Sequence, residues 1–191
     1  MNIHLHLQSP AQIEAECVAV PVLDHGDNAA TQARVSCSDP AIEAAAKELI
    51  ASGEITGKPF ETTLIHFPRG LKAKRLLLIG GGKAKNFGTA EVRKFAGAAV
   101  RAMKTRNLRS VAICTPNFAV SEDGAARAIV EGAIIADFDP DTYKSDRKDQ
   151  SVADVTVVAK LDQAAAEAAA NEGRIIGESQ NFTRMMVNEP S

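Results

Sequence analysis

Arg75-Leu76-Leu77-Leu78-Ile79-Gly80-Gly81-Gly82 is the stretch that decides the fold. Four large aliphatic residues follow one another with no polar residue between them. A half-exposed strand would alternate, so this one is predicted to be buried on both faces and closed by the glycines. Downstream, Thr89 to Arg106 reads as an amphipathic helix. Val92, Phe95, Ala96, Ala99 and Met103 share one face, and Arg93, Lys94, Arg101 and Lys104 fall opposite. Upstream, Cys17 to Leu23 is a second unbroken apolar run and a second buried strand. Pro21 lies within it and has no N–H to donate, which predicts a place at a sheet edge or near the strand end.

The remaining chain continues the alternation. Ile3, Leu5 and Leu7 alternate with His4 and His6, the period of a half-buried strand. Asp39 is placed to cap a helix that begins at Pro40, runs to about Ala51 and is stopped by Gly53. Short β-like pieces are expected at Glu54–Thr56 and Thr62–Phe67. Val111–Cys114 and Val152–Ala159 are further strands. Ser121 caps a helix to about Ala136, and Asp162–Met186 is an alanine-rich helix with a candidate interruption near Gly173. Strands alternating with helices, with one small β insertion, predict an α/β fold: a three-layer α/β/α sandwich with a mixed sheet.

Composition narrows the function. The chain has 191 residues, 45% hydrophobic, with a net charge of −2. That is one domain, or a domain plus a trailing helix, with enough length for a core of its own, and no global attraction to nucleic acid or anionic membranes. Cys17, Cys37 and Cys114 are odd in number and widely spaced, which argues against a disulfide framework and fits a reducing cytoplasm. The N-terminal residues lack a basic region and a long apolar run, so they do not read as a signal peptide. No stretch has the length of a membrane helix.

Candidate chemical motifs fail one after another. Gly80-Gly81-Gly82-Lys83-Ala84-Lys85 follows a strand and precedes a helix, where phosphate loops sit. A dinucleotide fingerprint needs glycine at position 85, and a phosphate-binding P-loop needs Ser or Thr at position 84. A glycine-rich turn is the better reading. His4 and His6 share a strand face, but no third ligand stands at a useful spacing. His25 stands alone, and His66, in an apolar strand, is read as a half-buried, hydrogen-bonded histidine rather than a ligand. No Gly-x-Ser-x-Gly and no reactive cysteine setting is present. Asp137, Asp139, Asp141, Asp146 and Asp149 are interleaved with Lys144, Arg147 and Lys148, a solvated loop or interdomain contact rather than a Ca²⁺ loop. The basic face Arg93, Lys94, Arg101 and Lys104 could meet phosphates, although a solvated helix face is the simpler reading and the overall charge opposes nucleic acid. Gly173 and Gly177 lie on one face of the last helix and allow a close backbone approach. Ile175, Ile176, Phe182, Met185 and Met186 end that helix, either as core or as a surface that meets another domain.

The end of the chain adds a family. Arg184-Met185-Met186-Val187-Asn188-Glu189-Pro190-Ser191 breaks a helix at Asn-Glu-Pro-Ser, because Pro190 forces Glu189 out of the helical region. This run resembles the entry to the catalytic domain of leucyl (cytosol) aminopeptidases. Glu131-Gly132-Ala133, the stretch Phe138-Asp139-Pro140-Asp141-Thr142-Tyr143-Lys144-Ser145 and Gly177 to Arg184 are similar to that family's helix end, loop and final helix of the first domain. The resemblance is specific over Glu131–Ser191 and elsewhere rests on element order.

The resemblance implies a macro-domain-like N-terminal domain, residues 1–187, with 188–191 opening the linker into a catalytic domain cut away at the junction. It further implies a two-metal exopeptidase that releases N-terminal amino acids from peptides. Its two divalent ions, Mn or Zn, and its catalytic residues would lie beyond Ser191. No catalytic, cofactor-binding or metal-binding residue is therefore assigned here. Implied partners are the chain's own catalytic domain, peptide substrates through that domain, and further copies in a cytoplasmic hexamer whose assembly this domain serves. Some bacterial relatives in that family bind DNA. The rival reading is a free-standing macro-like module for ADP-ribose or a related nucleotide, for which Asp27-Asn28-Ala29-Ala30 is a faint echo. A Rossmann-type oxidoreductase domain is weakened by the failed glycine spacing.

Overall fold

The computed structural model describes residues 1–26, 32–117, 120–139 and 150–188. Its strands are β1 (Asn2–His6), β2 (Val18–Asp24), β3 (Ala33–Val35), β4 (Thr62–His66), β5 (Arg75–Lys83), β6 (Ser110–Cys114) and β7 (Asp154–Val158). Its helices are α1 (Pro40–Ala51), α2 (Thr89–Lys104), α3 (Glu122–Asp137) and α4 (Gln163–Asn188), with 3-10 turns at Pro10–Gln12 and Ala84–Asn86. Glu54–Thr56 pairs with no strand, so that predicted piece is absent. Ile55 is instead buried as a core plug beneath the loop.

The seven-stranded sheet runs β1-β7-β6-β2-β5-β4, with β3 beside β2. β4 and β3 are antiparallel to their neighbours and the other pairings are parallel. The two apolar runs lie side by side: Ala19 is in register with Leu77 and Pro21 with Ile79. Pro21 is thus central, not at an edge. It falls between Ala19, the last β2 residue paired with β6, and Val22, the first paired with β3. Its missing N–H coincides with this change of partner, and its carbonyl accepts from Ser36 N at 2.8 Å.

The glycine run does not close β5. It forms the strand's second half. Val22 pairs with Gly80 and Leu23 with Gly82, leaving Gly81 as a one-residue bulge. A Cβ on Gly80 would lie 1.9 Å from the Lys58 carbonyl oxygen, and one on Gly81 would lie 2.5 Å from the Phe87 ring. Close packing of the chain, not phosphate binding, accounts for these glycines.

Helices cover both faces. α1 lies over the face carrying Val18, Val20, Val22, Leu76 and Leu78. α2 and α3 lie over the face carrying Ala19, Leu23, Leu77 and Ile79, and the buried face of α2 is the predicted one. α4 packs on α3, outside it. It runs unbroken through Gly173, contrary to the predicted interruption. A Cβ on Gly173 would lie 2.4 Å from the Arg127 carbonyl, and one on Gly177 would lie 3.0 Å from Ile134 Cβ. Gly132 of α3 presses on α2 in the same way, with 2.2 Å left to the Arg93 carbonyl. Three helices are therefore joined by glycine seams. Arg127 to Glu172 at 2.6 Å adds an ion pair across the seam between α3 and α4.

Candidate functional site

Parallel strands leave a crevice at their carboxyl ends where the connections diverge to opposite sides of the sheet. Here that point lies between β6 and β2, because β6 connects outward to β7 and β2 connects inward to β5. A cavity of about 390 Å³ opens beside it. Ser9, Cys37, Asp39, Thr115, Glu122 and Lys160 are among its lining residues.

Its carboxylates are occupied by the protein itself. Asp39 caps α1 by accepting from Ala41 N at 3.0 Å and Ile42 N at 3.4 Å. Its other oxygen accepts from Ser9 Oγ at 2.5 Å and Ala11 N at 3.3 Å, tying the first 3-10 turn to α1. Burial opposes ionisation of Asp39, but these four donors outweigh it and hold its pKa below the usual carboxylate value. Glu122 accepts from Thr115 Oγ1 at 2.7 Å and Lys160 N at 3.4 Å. Asn117 donates to Ser38 Oγ at 2.8 Å and accepts from Ser36 Oγ at 2.9 Å.

Cys17 and Cys114 are poorly placed to act as nucleophiles. Burial pushes the Cys17 thiol up to about 12. Cys37 beside it, together with burial, pushes the Cys114 thiol well above its ordinary value. The thiolate is the reactive form, and both sites oppose it. The α1 N-terminus could otherwise receive a phosphate, but Asp39 already holds its amides and adds a negative charge. Isothermal calorimetry is accordingly expected to give no micromolar binding of ADP-ribose or NAD. A micromolar constant for either would restore the nucleotide-module reading.

The sequence candidates do not converge. His4 Nε2 lies 3.0 Å from Asp154 Oδ1, which also accepts from Asn2, and His6 Nε2 lies 3.2 Å from the Ser9 carbonyl. His66 is exposed at the end of edge strand β4 rather than half-buried as its apolar neighbours suggest. Among the described residues, no group of three His, Cys, Asp or Glu side chains comes together. The basic face of α2 is exposed at Arg93 and Lys94 and half-buried at Lys104, and its side chains find partners on this fold. Arg93 pairs with Glu131 at 2.6 Å, Lys94 with Glu91 at 3.3 Å, and Lys104 donates to the Asp137 carbonyl at 2.9 Å. Arg101 is exposed. Asp137 also accepts from Val152 N at 3.1 Å, so this first member of the acidic loop is structural. Asp141, Lys144, Asp146, Arg147, Lys148 and Asp149 lie outside the described residues, as do Asp27–Ala30 and Glu189–Ser191.

Among the described residues, the second half of α4 carries six of the exposed large hydrophobic side chains. Its inner side is anchored: Asn181 donates to the Ile134 carbonyl at 2.8 Å, Arg184 to the Ile135 carbonyl at 3.1 Å, and the Arg184 guanidinium stacks 5.0 Å above Phe138. These donors meet the carbonyl end of α3, where positive charge is favoured. On the outer side Ile175, Phe182 and Met186 recur at helical spacing and are 56%, 58% and 60% exposed. Ile176, Met185 and Val187 flank them. Of the two sequence readings of these residues, core and surface, they are surface.

A family model described as "Cytosol aminopeptidase family, N-terminal domain" matches residues 19–147. The chain belongs to the cytosol aminopeptidase family. The match lies mostly upstream of Glu131–Ser191, so the family signal extends through the sheet and the first helices rather than resting on the chain's end. A probable cytosol aminopeptidase of Koribacter versatilis is 43% identical, covering 100% of this chain and 40% of that protein. One from Acidobacterium capsulatum is 44% identical, covering 94% and 38%. The chain thus spans about two fifths of the length of these relatives. A solved tomato leucine aminopeptidase variant superposes with a TM-score of 0.76 over 100% of this chain and 38% of that one, at 17% identity, which supports a shared fold.

Proposed function

We propose that this chain is the non-catalytic N-terminal domain of a metal-dependent aminopeptidase, residues 1–187 forming the domain and 188–191 opening the linker. In this reading the domain carries and helps assemble a following catalytic domain. The full protein removes N-terminal residues from peptides in the cytoplasm, as a homo-oligomer, with Mn or Zn in that catalytic domain. The observation that carries the reading is the outer face of α4. A helix pinned to its domain by Asn181 and Arg184 yet apolar on its far side is suited to receive a second packed unit. The family and the greater length of the relatives support reading that unit as a catalytic domain.

The residues described here do not fit a two-metal centre. Such a centre needs several oxygen ligands converging on one point with a position open for water. Asp39, Asp137 and Asp154 are separately committed to protein donors, and the His4 and His6 rings already have partners. Among the described residues no side-chain set for a hydrolytic step comes together. The nucleotide-module reading is disfavoured by the carboxylate-lined crevice.

The test compares this chain with the full-length protein in leucine-amide hydrolysis, with Mn²⁺ or Zn²⁺ added. Turnover is expected only from the full-length protein, where chelation abolishes it. The isolated chain is expected to show neither turnover nor tight divalent-metal binding. Chelator-sensitive turnover by the purified chain would overturn the non-catalytic assignment.

A further inference from the structure

The two edges of the sheet are treated differently. At one edge, β1 is blunted: Asp154 gathers Asn2 and His4, and α4 runs past the strand. At the other edge, among the described residues β4 has only β5 beside it. Edge strands are usually protected by charge, proline, a bulge or a covering element. Thr62-Thr63-Leu64-Ile65-His66 carries no lysine, proline or bulge.

The free backbone groups of β4 can be assigned. Gly80 N donates to the Glu61 carbonyl and Phe67 N donates to the Lys74 carbonyl, so odd-numbered residues turn toward β5. By alternation, Thr62, Leu64 and His66 direct their N–H and C=O groups outward. Two aromatic side chains flank this row. Phe60 and Phe67 are 57% and 80% exposed, and both hold left-handed backbone, with φ of 64° and 50°. Bulky residues rarely adopt that conformation, and it is strained for them. A monomer gains nothing visible from keeping two strained rings in water.

We propose that the β4 edge is a self-association surface, on which a second copy of this chain pairs antiparallel about a two-fold axis through Leu64. The backbone alternation permits this register, because outward-facing residues must meet outward-facing residues. Leu64 then meets Leu64, and Thr62 of each copy meets His66 of the other. The charges agree with a like partner. Lys58 comes opposite Gly70, Glu61 opposite Phe67 and Arg69 opposite Pro59, so no like charges face one another. Phe67 of each copy stands opposite Glu61 of the other, one position from Phe60. Pro59 and Pro68 bracket the run and stop the ladder at both ends. Two-fold pairing consumes both edges, so the assembly closes at two copies. This inference does not depend on the aminopeptidase reading.

A strand pair this short buries well under the roughly 1,200 Å² of a stable interface, so dimers are expected only on the order of 0.1–1 mM protein. Sedimentation of the 191-residue chain across that range is expected to show reversible monomer–dimer exchange. At the high end, the amides of Thr62, Leu64 and His66 should gain protection from hydrogen exchange. Thr62→Pro removes one outward N–H and leaves the β5 ladder intact, and should weaken dimerisation at least tenfold. Phe67→Gly removes the ring and suits the left-handed backbone, so it should weaken the dimer without lowering the melting temperature. A strict monomer throughout would overturn the proposal. So would a dimer that Phe67→Gly leaves unchanged, with those three amides unprotected, which is what pairing through the apolar face of α4 would give. Protection of the same amides by an added heterologous peptide but not by the chain itself would also overturn it.

Discussion

Leu77→Ala is expected to cost the domain about 2–5 kcal/mol in chemical denaturation, at an unchanged denaturant slope. Leu77 is fully buried at the centre of β5, with Ala19 of β2 on one side and Leu64 of β4 on the other. It belongs to the larger core cluster, under α2 and α3, with Phe95, Val92 and Ile113. Truncation removes three carbons from a site whose walls come from a sheet and two helices. Such walls cannot move inward together, so a cavity remains and adds its own cost. Leu64→Ala, at a half-buried edge position in register with Leu77, should cost clearly less. A loss below 1 kcal/mol at Leu77 would mean that β5 is peripheral and that the sheet order is wrong.

Asp39→Ala is the second large effect, expected at about 2–4 kcal/mol. The substitution removes the cap of α1 and the acceptor for Ser9 and Ala11 together. Buried N–H groups at both places lose their partner, and each such loss costs about 1–3 kcal/mol. The pH dependence has a definite sign. The folded pKa of Asp39 is lowered, so its contribution is complete above the unfolded carboxylate value of about 4 and is lost as pH falls through the lower folded value. The variant should therefore lose part of the stability drop that the parent shows below pH of about 4. Asp39→Asn, which keeps one acceptor oxygen, should fall between the two in stability. Equal acid sensitivity in parent and alanine variant would refute this account of Asp39.

How far the sequence could be read follows the range of each interaction. Asp39-Pro40 and Gly53 bounded α1 because capping is settled within a few residues. The buried face of α2 followed from its period. The fold class followed from the alternation of elements. The partners of β1 did not, because β1 pairs with β7, about 150 residues away, and no local pattern encodes that choice. Ala33–Val35 was missed because three residues have no measurable period. Gly80-Gly81-Gly82 was read as a turn because glycine usually marks one. The actual constraint comes from Lys58 and Phe87, at other positions in the chain. Pro21 was placed at an edge by a rule that holds for strands with one constant neighbour, and β2 changes neighbour at that residue. For function, the histidines and acids singled out in the sequence lie apart from one another among the described residues. Half of the Asp39 network was legible as a cap. Its bonds to Ser9 and Ala11 span about thirty positions and had no signature.

The glycine seam under α4 acts as the fulcrum of a lever. α4 is about 39 Å long, and some 22 Å of it extends from Gly173 to Asn188. Gly173 and Gly177 are only about 6 Å apart along that axis. Pushing the helix away from α3 by about 1 Å at Gly177, with Gly173 as pivot, tilts the shaft by roughly a sixth of a radian and swings its far end by nearly 4 Å. A methyl group at position 177 meets Ile134 Cβ at 3.0 Å and supplies a push of that kind. Aim, rather than stability, is thus the property most finely set by these two glycines, and whatever is mounted on the tip of the shaft inherits their precision.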